Sequence, residues 1–228
     1  MHHELNPAIL YFGTPVVLVS SHNEDGSANL APISSAWWLG YNAMLGFGKR
    51  SKTPQNILRT GELVLNLPSV DLVHAVDRLA RTTGSDPVPP HKVAMGYRHE
   101  RDKFAVAGLT PVPSVEVGPP RVLECPVQLE ARLAGVHPIA DHIEADREKL
   151  VALEVTILRV HIHESIRMAG HEQRIDPDRW RPLIMSFGQF YGLGDRLRHS
   201  TLAEIPESIY LPASRREPAG ETGLARTA

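Results

Sequence analysis

The segment at residues 49–53 brings together the groups that bind an anion. It contains three cations and two hydroxyls, namely Lys49, Arg50, Lys52, Ser51 and Thr53. A helix should begin here, since Thr53 is a good N-cap and Pro54 suits the first helical position. A helix N-terminus presents unpaired backbone N–H groups and about half a positive charge, which favours a phosphate. These residues predict a phosphate cradle, and a solvated loop with an ordinary cap is the alternative that spacing alone leaves open.

A second group of residues could border a flat ring. Trp37 and Trp38 follow a run of small side chains that includes Ala31, Ser34 and Ser35. Adjacent strand residues point to opposite faces, so one indole can enter the core while the other lines a pocket. The small side chains would let an aromatic ligand approach the backbone closely. Packing of both indoles in the core or in an interface is the alternative, and it is the commoner outcome.

Three other groups of reactive residues favour structural roles. His161 and His163 share one face of a predicted strand, but "RVHIHES" offers no third zinc ligand. Cys125 lacks a redox partner and is expected to be a small buried side chain. The carboxylates of residues 141–148 are typical of a solvated turn. The sequence also lacks the Walker loop, the Rossmann glycine fingerprint and the G-x-S-x-G elbow, so none of these sites is predicted.

Composition excludes several broad classes of function. The chain has 228 residues, a hydrophobic fraction of 42% and a formal net charge of −2, which is typical of a soluble globular protein. This balance provides no basic field for nucleic acid. The N-terminus lacks a secretion signal, no apolar run could span a membrane, and the single cysteine fits a reducing compartment. We therefore expect a cytoplasmic protein that binds neither nucleic acid nor a membrane.

The elements that must position these residues are mostly strands. "PVVLVSS", "ANLAPISSAWWLG" and "NAMLGFG" predict a meander, and "ELVLNLP", "PRVLECPVQLEARLAGV" and "LVALEVTILRVHIHES" predict further strands. Helices are predicted from residue 53 to Gly61 and over "SVDLVHAVDRLARTTG", with Gly84 as the stop. "SDPVPPHKVAMGYRHERD" and "FGQFYGLG" are predicted as loops. Many strands and few helices favour a barrel of Greek-key or split type over residues 1–211, with a disordered polar tail over 212–228.

Two blocks of the sequence resemble the flavin reductase-like, FMN-binding split-barrel family. The first is "VVLVSS…DGSANLAPISSAWWLG…LGFGKRSKTPQNILRTGELVLNLPS", and the second is "DKFAVAGLTPVPS…PPRVLECPVQLEARL". The resemblance runs from about Pro15 to Gly194, and its most specific part is "AGLTPVPS" followed by "E-x-P-x-x-L-E". It implies a mainly β fold with a few helices, a six-stranded Greek-key split barrel, and a homodimer with FMN near the subunit interface.

The resemblance also implies which residues hold the flavin. Two loops and several later positions correspond to the cofactor-binding segments of the family. The expected contacts are Asn29, Ala31, Pro32, Ile33, Ser34, Ser35 and Trp37 at the ring and ribityl chain, Lys49, Arg50, Ser51, Lys52 and Thr53 at the phosphate, and Lys103, Leu109, Thr110 and Tyr191 near the ring. No catalytic side chain and no metal ligand is implied, because the flavin itself carries the chemistry.

The activity that the resemblance implies is NAD(P)H-dependent flavin reduction, in which hydride passes from nicotinamide C4 to flavin N5. Reduced flavin would then serve a partner oxygenase or a second substrate, and FAD is an alternative to FMN. Two other interpretations stay open. One is a flavoredoxin-like, FMN-binding electron carrier without pyridine-nucleotide activity, and the other is a non-catalytic barrel that binds another ligand or a protein.

The chain departs from the family pattern in three places. Asn42 and Ala43 stand where many relatives have a Pro-Pro pair. The phosphate loop is "KRSKT", whereas relatives often have Arg-Lys-Asp-Thr there. The insert at residues 83–101 is longer than in compact reductases, and it could cap the ring and exclude nicotinamide. These departures leave the electron donor and acceptor open.

Overall fold

The structure, a computed structural model, describes residues 1–215 and contains a seven-stranded antiparallel sheet. The strands of the described chain, in this sheet and in three smaller sheets, are β1 Phe12–Pro15, β2 Val17–His22, β3 Ala28–Ile33, β4 Ala36–Leu39, β5 Asn42–Gly48, β6 Glu62–Leu67, β7 Thr82–Thr83, β8 Arg98–His99, β9 Pro111–Val112, β10 Arg121–Val122, β11 Val127–Ile139, β12 Leu150–Ile162, β13 Ile184–Ser186 and β14 Gln189–Tyr191. Its α-helices are α1 Lys52–Thr60, α2 Val73–Leu79, α3 Pro90–Ala94 and α4 Lys103–Ala107. The prediction of a mainly β fold with a few helices is confirmed.

The large sheet runs in the order β3-β2-β6-β11-β12-β5-β4, and every neighbouring pair is antiparallel. β2 pairs with β3 in one hairpin, and β4 pairs with β5 in another at the opposite edge. The predicted meander is therefore wrong, because β3 and β4 follow each other in the chain without pairing. A backbone hydrogen bond of 2.7 Å from Gly46 N to Ser35 O ties the link between the hairpins to β5.

β2 is buried on both faces. Val17 and Val19 belong to a core cluster that also contains Ile57 of α1, whereas Val16 and Leu18 belong to a second cluster that includes residues of α2 and α4. Apolar side chains are therefore needed at successive positions and not only at alternate ones. This two-sided burial explains the unbroken apolar run "VVLV" that opens the sheet.

The most specific part of the family pattern fixes the loop at residues 110–116. Glu124 Oε2 accepts a hydrogen bond of 3.0 Å from the backbone N–H of Thr110. Glu130 accepts one of 3.0 Å from the backbone N–H of Val115. The two glutamates of "E-x-P-x-x-L-E" thus act as anchors for the loop that "AGLTPVPS" begins. The contacts of this motif in the structure are local anchoring contacts.

The buried carboxylate of Glu130 is held by several donors at once. Its side chain is fully buried, and Oε1 lies 2.6 Å from His161 Nε2. Burial raises the pKa of Glu130, but the backbone N–H groups of Glu116 and Val115 and the ring of His161 outweigh burial, so the pKa falls below its ordinary value. His163 accepts a hydrogen bond from the backbone N–H of Ser165 and caps a short 3-10 turn. The structural roles predicted for these two histidines are confirmed.

Three local predictions need correction. α2 follows a 3-10 turn at Val70–Leu72 and ends at Leu79, well before Gly84, because β7 then pairs in parallel with β8. The insert is not a plain loop, since it contains α3 and β8. "FGQFYGLG" forms the β13–β14 hairpin, whose turn uses the positive φ angles of Phe187 (47°) and Gly188 (77°). The glycine-rich sequence does indicate a turn, but it is a tight turn between short strands and not an open loop.

Contacts divide the chain into two units, Met1–Asp195 and Arg196–Ala228. The described part of the second unit contains 3-10 turns at Thr201–Glu204, Glu207–Tyr210 and Ala213–Arg215. The boundary predicted at residue 211 falls inside this unit. Of the tail predicted as disordered over 212–228, residues 213–215 form a 3-10 turn, and the part from 216 onward lies outside the described residues. Within residues 1–215, no helix combines the length and apolar character that crossing a membrane requires.

Candidate functional site

A cavity of about 390 Å³ lies where the ends of β3 and β5 meet the start of α1 and the start of α4. The end of α2, β7 and the insert supply the rest of its wall, through residues that include Thr83, Lys92 and Tyr97. The cavity therefore joins segments that are far apart in the chain. It also contains most of the residues that the sequence nominated for flavin binding.

The first predicted loop lies directly on the cavity. Five of its predicted contacts line the wall, namely Ala31, Pro32, Ile33, Ser34 and Ser35. Ser35 is held from two sides, since its Oγ lies 2.8 Å from the hydroxyl of Tyr11 and its Cβ packs against Gly46. A Cβ built on Gly46 would lie only 2.9 Å from Ser35 Cβ, so a glycine is needed for this close approach. The loop thus forms a flat wall with short side chains.

The start of α1 forms another part of the wall, through Ser51, Lys52 and Thr53. The N-cap is Ser51, with extended backbone angles, and its side chain makes no capping hydrogen bond. The predicted N-cap at Thr53 is therefore wrong. Ser51 N donates to Gly48 O at 2.9 Å, so the turn that closes β5 places Ser51 at the cap. The first turn contains no acidic residue, which leaves the positive end of the helix available to an anion.

Asn29 lies just behind the start of α1 and is 1% exposed. Its Nδ2 donates to Thr53 Oγ1 at 3.1 Å and to Ser21 Oγ at 3.3 Å. Its Oδ1 is buried and has no hydrogen-bond partner among the described residues. A Cβ built on Gly84 would lie 2.9 Å from this oxygen and 3.2 Å from Lys52 Cγ. Gly84 lines the cavity and Asn29 does not, so the unpaired acceptor lies behind the wall, where Asn29 holds Thr53 by its hydrogen bond. The direct contact of Asn29 with a flavin remains a prediction.

Two lysines give the cavity a second positive wall. Lys103 is 3% exposed, and burial together with the nearby charge of Lys92 lowers its pKa to about 8. Burial also lowers the pKa of Lys92, whose Nζ lies 5.6 Å from the centre of the Tyr97 ring and 3.5 Å from Thr83 Oγ1. Among residues 1–215, neither lysine forms an ion pair with a carboxylate. The charge of Glu100 acts on Lys103 in the opposite direction to burial, without a direct ion pair. An anionic or strongly polar ligand would supply a direct partner.

Two predicted phosphate contacts lie outside the cavity wall. Lys49 Nζ forms an ion pair of 3.5 Å with Glu148 Oε1. Arg50 is exposed, and its carbonyl accepts a hydrogen bond from Gln55 Nε2 at 3.5 Å. The positive charge of these two residues is therefore peripheral, and Lys52 is the cation of this segment that lines the cavity.

Four predicted ring contacts also lie away from the wall. Leu109 is buried in the second core cluster, and the backbone N–H of Thr110 is bonded to Glu124. Trp37 and Tyr191 are both 56% exposed. Trp38, in contrast, packs against the first core cluster, so within the chain one indole lies against the core and the other is exposed without lining the cavity. The roles of Leu109, Thr110, Trp37 and Tyr191 at a flavin remain predictions.

Some cavity residues were missed by the sequence analysis. They are Tyr11, Gly46, Thr83, Gly84, Lys92 and Tyr97 among others. The insert carried a signal, since its length and proline content are typical of a functional loop. Nothing in its spacing distinguished Lys92 or Tyr97 from its other residues. Tyr11 precedes the segment on which the resemblance rests.

The remaining candidates have structural environments. Cys125 is buried, and burial raises the pKa of its thiol, which confirms a small unreactive side chain. Residues 141–148 form the predicted turn, in which Asp141 Oδ1 accepts from Glu148 N at 2.9 Å. Within the part of the chain that the structure describes, no cluster of three or more His, Cys, Asp or Glu side chains could hold a metal ion.

The walls of the cavity fit FMN by their chemistry. The uncapped start of α1, with Ser51, Lys52 and Thr53, suits a phosphate dianion. The short side chains before β4 and the buried amine of Lys103 suit the flat face and the polar edge of a ring.

The family of the chain is shown by its sequence. Residues 9–194 match the family described as flavin reductase like domain. The chain belongs to this family. It is also 37% identical over 191 residues to the uncharacterized protein YdfE of Bacillus subtilis (strain 168), which covers 84% of this chain and 89% of that protein.

Solved structures confirm the split-barrel fold. Flavoredoxin of Desulfovibrio vulgaris (Miyazaki F) superposes with a TM-score of 0.70 at 23% identity, covering 90% of this chain and 100% of the other. Nitrilotriacetate monooxygenase component B from Bacillus cereus superposes with a TM-score of 0.68 at 20% identity, covering 87% and 99%. At these identities the likeness concerns the fold, and the fold predicted from the resemblance is confirmed.

Proposed function

We propose that the chain binds FMN in the cavity at the start of α1 and acts as a flavin-dependent oxidoreductase with NAD(P)H as the electron donor. The observation that carries this proposal is the pairing of two features in one cavity. One is an uncapped helix N-terminus whose first turn has no acidic residue, and the other is the buried Lys103, which forms no ion pair among residues 1–215. A flavin mononucleotide has a phosphate for the first and a polar ring edge for the second. Membership of the flavin reductase-like family supports the same ligand.

Each wall residue has a role that follows from its chemistry. The Ser51 hydroxyl and the first backbone N–H groups of α1 donate to the phosphate. Lys52, whose Nζ lies 2.5 Å from Glu24 Oε2 in the flavin-free chain, adds a charge-assisted hydrogen bond with another of its N–H groups. Residues 31–35 allow a flat ring to lie against the backbone, and Lys103 presents a donor to its polar edge. Bound there, FMN would supply hydride transfer at N5. The chain then has to bind, orient and shield the ring, and it needs no dedicated acid or base.

We further propose that the protein is a cytoplasmic homodimer in which Trp37 and Tyr191 complete the site across the interface. Both side chains are large, aromatic and 56% exposed, which is typical of residues that become buried in interfaces. Reduced flavin would pass to a partner oxygenase or to a second substrate. A structural neighbour that is a monooxygenase component supports the oxygenase.

The test is a flavin titration followed by anaerobic reduction. The purified protein is expected to bind FMN, and NADH or NADPH added without oxygen should bleach the flavin band at about 450 nm. Rapid bleaching by one of the two nucleotides would establish the donor. A protein that does not bind added FMN would contradict the proposal and would favour the non-catalytic barrel.

A second candidate function is an electron carrier without pyridine-nucleotide activity. The observation that favours it is the contribution of the insert to the cavity wall, through Lys92 and Tyr97. A wall at this place could restrict access of a nicotinamide to the ring. FMN binding without bleaching by either nucleotide, but with bleaching by dithionite, would support the carrier and contradict the reductase.

A further inference from the structure

A second cavity, of about 370 Å³, adjoins the proposed flavin site. The two cavities share Lys52 and Gly84 in their walls. The second is formed by the turn between β2 and β3 and by residues of the insert. A ligand that extends beyond the phosphate site past Lys52 therefore enters the second cavity. Its volume is in the range of ordinary ligand pockets, so space alone does not exclude such a ligand.

The wall of this second cavity carries an excess of negative charge. It contains four carboxylates, Glu24, Asp25, Asp86 and Glu100, together with Lys52, Arg101 and His99. Both permanent cations are already paired, since Lys52 Nζ lies 2.5 Å from Glu24 Oε2 and Arg101 Nη2 lies 3.2 Å from Asp25 Oδ2. Within residues 1–215, no ion pair engages Asp86 or Glu100. The cavity therefore has no unpaired permanent cation to offer a second phosphate.

Glu24 and Asp25 are ionised at neutral pH. The hydrogen bond from Lys52 lowers the pKa of Glu24, and hydrogen bonds from Ser27 lower the pKa of Asp25. Glu24 holds the same amine that the phosphate would contact. A negative group placed just beyond that amine would meet the carboxylate directly.

We propose that Glu24, together with Glu100 on the same cavity wall, is a specificity determinant that makes the site select a flavin mononucleotide over a flavin dinucleotide. The inference rests on the proposed FMN site. FMN ends at the phosphate and places no charge in the second cavity, whereas FAD must place its second phosphate among the carboxylates. Since the cavity has room for an adenosine, the discrimination is electrostatic and not steric.

The experiment compares the dissociation constants of FMN and FAD by isothermal titration calorimetry. The variants are Glu24→Gln, the double variant Glu24→Gln/Glu100→Gln, and the control Glu164→Gln. Glu164 is an exposed glutamate paired with Arg167 at 3.1 Å, and it lines neither cavity. The ratio of the two constants is the readout, because removal of Glu24 also frees Lys52 and should strengthen the binding of both flavins.

The wild-type protein is expected to bind FMN at least about tenfold more tightly than FAD. Each neutralised carboxylate should lower the ratio of the FAD dissociation constant to the FMN dissociation constant by about two- to fourfold. Added salt should also lower this ratio in the wild-type protein, because the carboxylates are exposed and their charges are screened. The control should keep the wild-type ratio. FMN binding with an unchanged ratio in the double variant, or equal affinity for FAD in the wild type, would overturn this inference alone. Failure of FMN to bind the wild type would overturn the proposed function and the inference with it.

Discussion

At the residue scale, the flavin site is marked by polar groups that lack partners within the chain. Lys103 is buried without a carboxylate, the Ser51 hydroxyl makes no capping bond, and Asn29 Oδ1 has no donor. Such groups cost free energy in an empty site, because water or a protein partner normally satisfies them. All three lie on or directly behind the wall of one cavity. Together they specify a ligand that is anionic at one end and hydrogen-bonding along its length.

The phosphate end of the site can be tested by a paired substitution. Lys52→Ala combined with Thr53→Ala should raise the dissociation constant of FMN by about 100-fold or more, since a charge-assisted hydrogen bond and a buried hydroxyl are lost together. Flavin fluorescence titration measures the change. Lys149→Ala removes an exposed lysine that pairs with Asp146 and lines no part of the cavity, so it should leave the affinity unchanged.

The double variant must also be shown to be folded. Thr53 accepts a hydrogen bond from Asn29, so a modest loss of stability is expected, but the sheet and its core clusters do not depend on it. Far-UV circular dichroism should match that of the wild type. A folded double variant that binds FMN as tightly as the wild type would remove the phosphate site from the start of α1.

The buried amine of Lys103 predicts a dependence of stability on pH in the flavin-free protein. Its pKa is about 8 in the folded chain against an ordinary 10.5, so between these values the unfolded chain holds a proton that the folded chain has lost. Stability must then rise with pH across that window, by about 3 kcal/mol for this group. Lys103→Met should lack this rise and should be more stable than the wild type at neutral pH.

Urea denaturation at several pH values between 8 and 10.5 measures this difference. Other groups also titrate there, so the quantity of interest is the wild-type free energy of unfolding minus that of Lys103→Met. Identical pH profiles for the two proteins would show that Lys103 is solvated in the folded chain. Bound FMN should reduce this difference in pH dependence between the wild type and Lys103→Met, because the polar edge of its ring would favour the charged form of the Lys103 amine.

At the scale of the elements, the sequence predicted most strands but not their partners. Hairpin turns such as Asp25-Gly26 and stops such as Gly61 are local signals, and both lie where they were predicted. The separation of β3 from β4 is not local, because it depends on how the whole sheet pairs. The N-cap of α1 is Ser51 and not the predicted Thr53, because a turn at Gly48 closes the preceding strand. A capping pattern in the sequence does not show where that strand ends.

The loop at residues 110–116 provides a test of how one element is held. Glu130→Gln keeps the shape of the side chain but replaces one accepting oxygen with an amide NH2 group, a donor that faces the backbone N–H groups of Val115 and Glu116. Because the group is fully buried, the free energy of unfolding should fall by about 2–4 kcal/mol. Glu124→Gln, which also anchors the loop but is not fully buried, should cost about 1 kcal/mol or less.

Denaturant unfolding of both variants at neutral pH checks this order. Glu130 is ionised there because its pKa is lowered, and its contribution should be lost as pH falls through that lowered pKa. Equal costs for the two substitutions would mean that the fully buried carboxylate of Glu130 is no more important to the loop than the partly buried one of Glu124.

At the scale of the whole molecule, the cavity is assembled from the first hairpin, α1, the insert and α4. Sequence motifs found the parts that have local signatures, such as the hydroxyls and cations at residues 51–53. They could not find Lys92 or Tyr97, since an insert has no fixed register against the barrel. Trp37 and Tyr191, predicted at the ring, lie outside the wall of a single chain and are largely exposed. A second copy of the chain would reconcile that exposure with a role at the flavin.

The oligomeric state of the protein therefore tests whether Trp37 takes part in the flavin site. The protein should be a dimer in solution, and Trp37→Glu should shift it towards the monomer and weaken FMN binding, because a charge cannot be buried in an interface without a partner. Leu58→Glu is the matched control, since Leu58 is an exposed apolar side chain on α1 (43%) that lines neither cavity. Sedimentation velocity, with and without FMN, measures the distribution. A monomeric wild type that binds FMN tightly would show that one chain completes the site, and the exposed indole would then have no part in it.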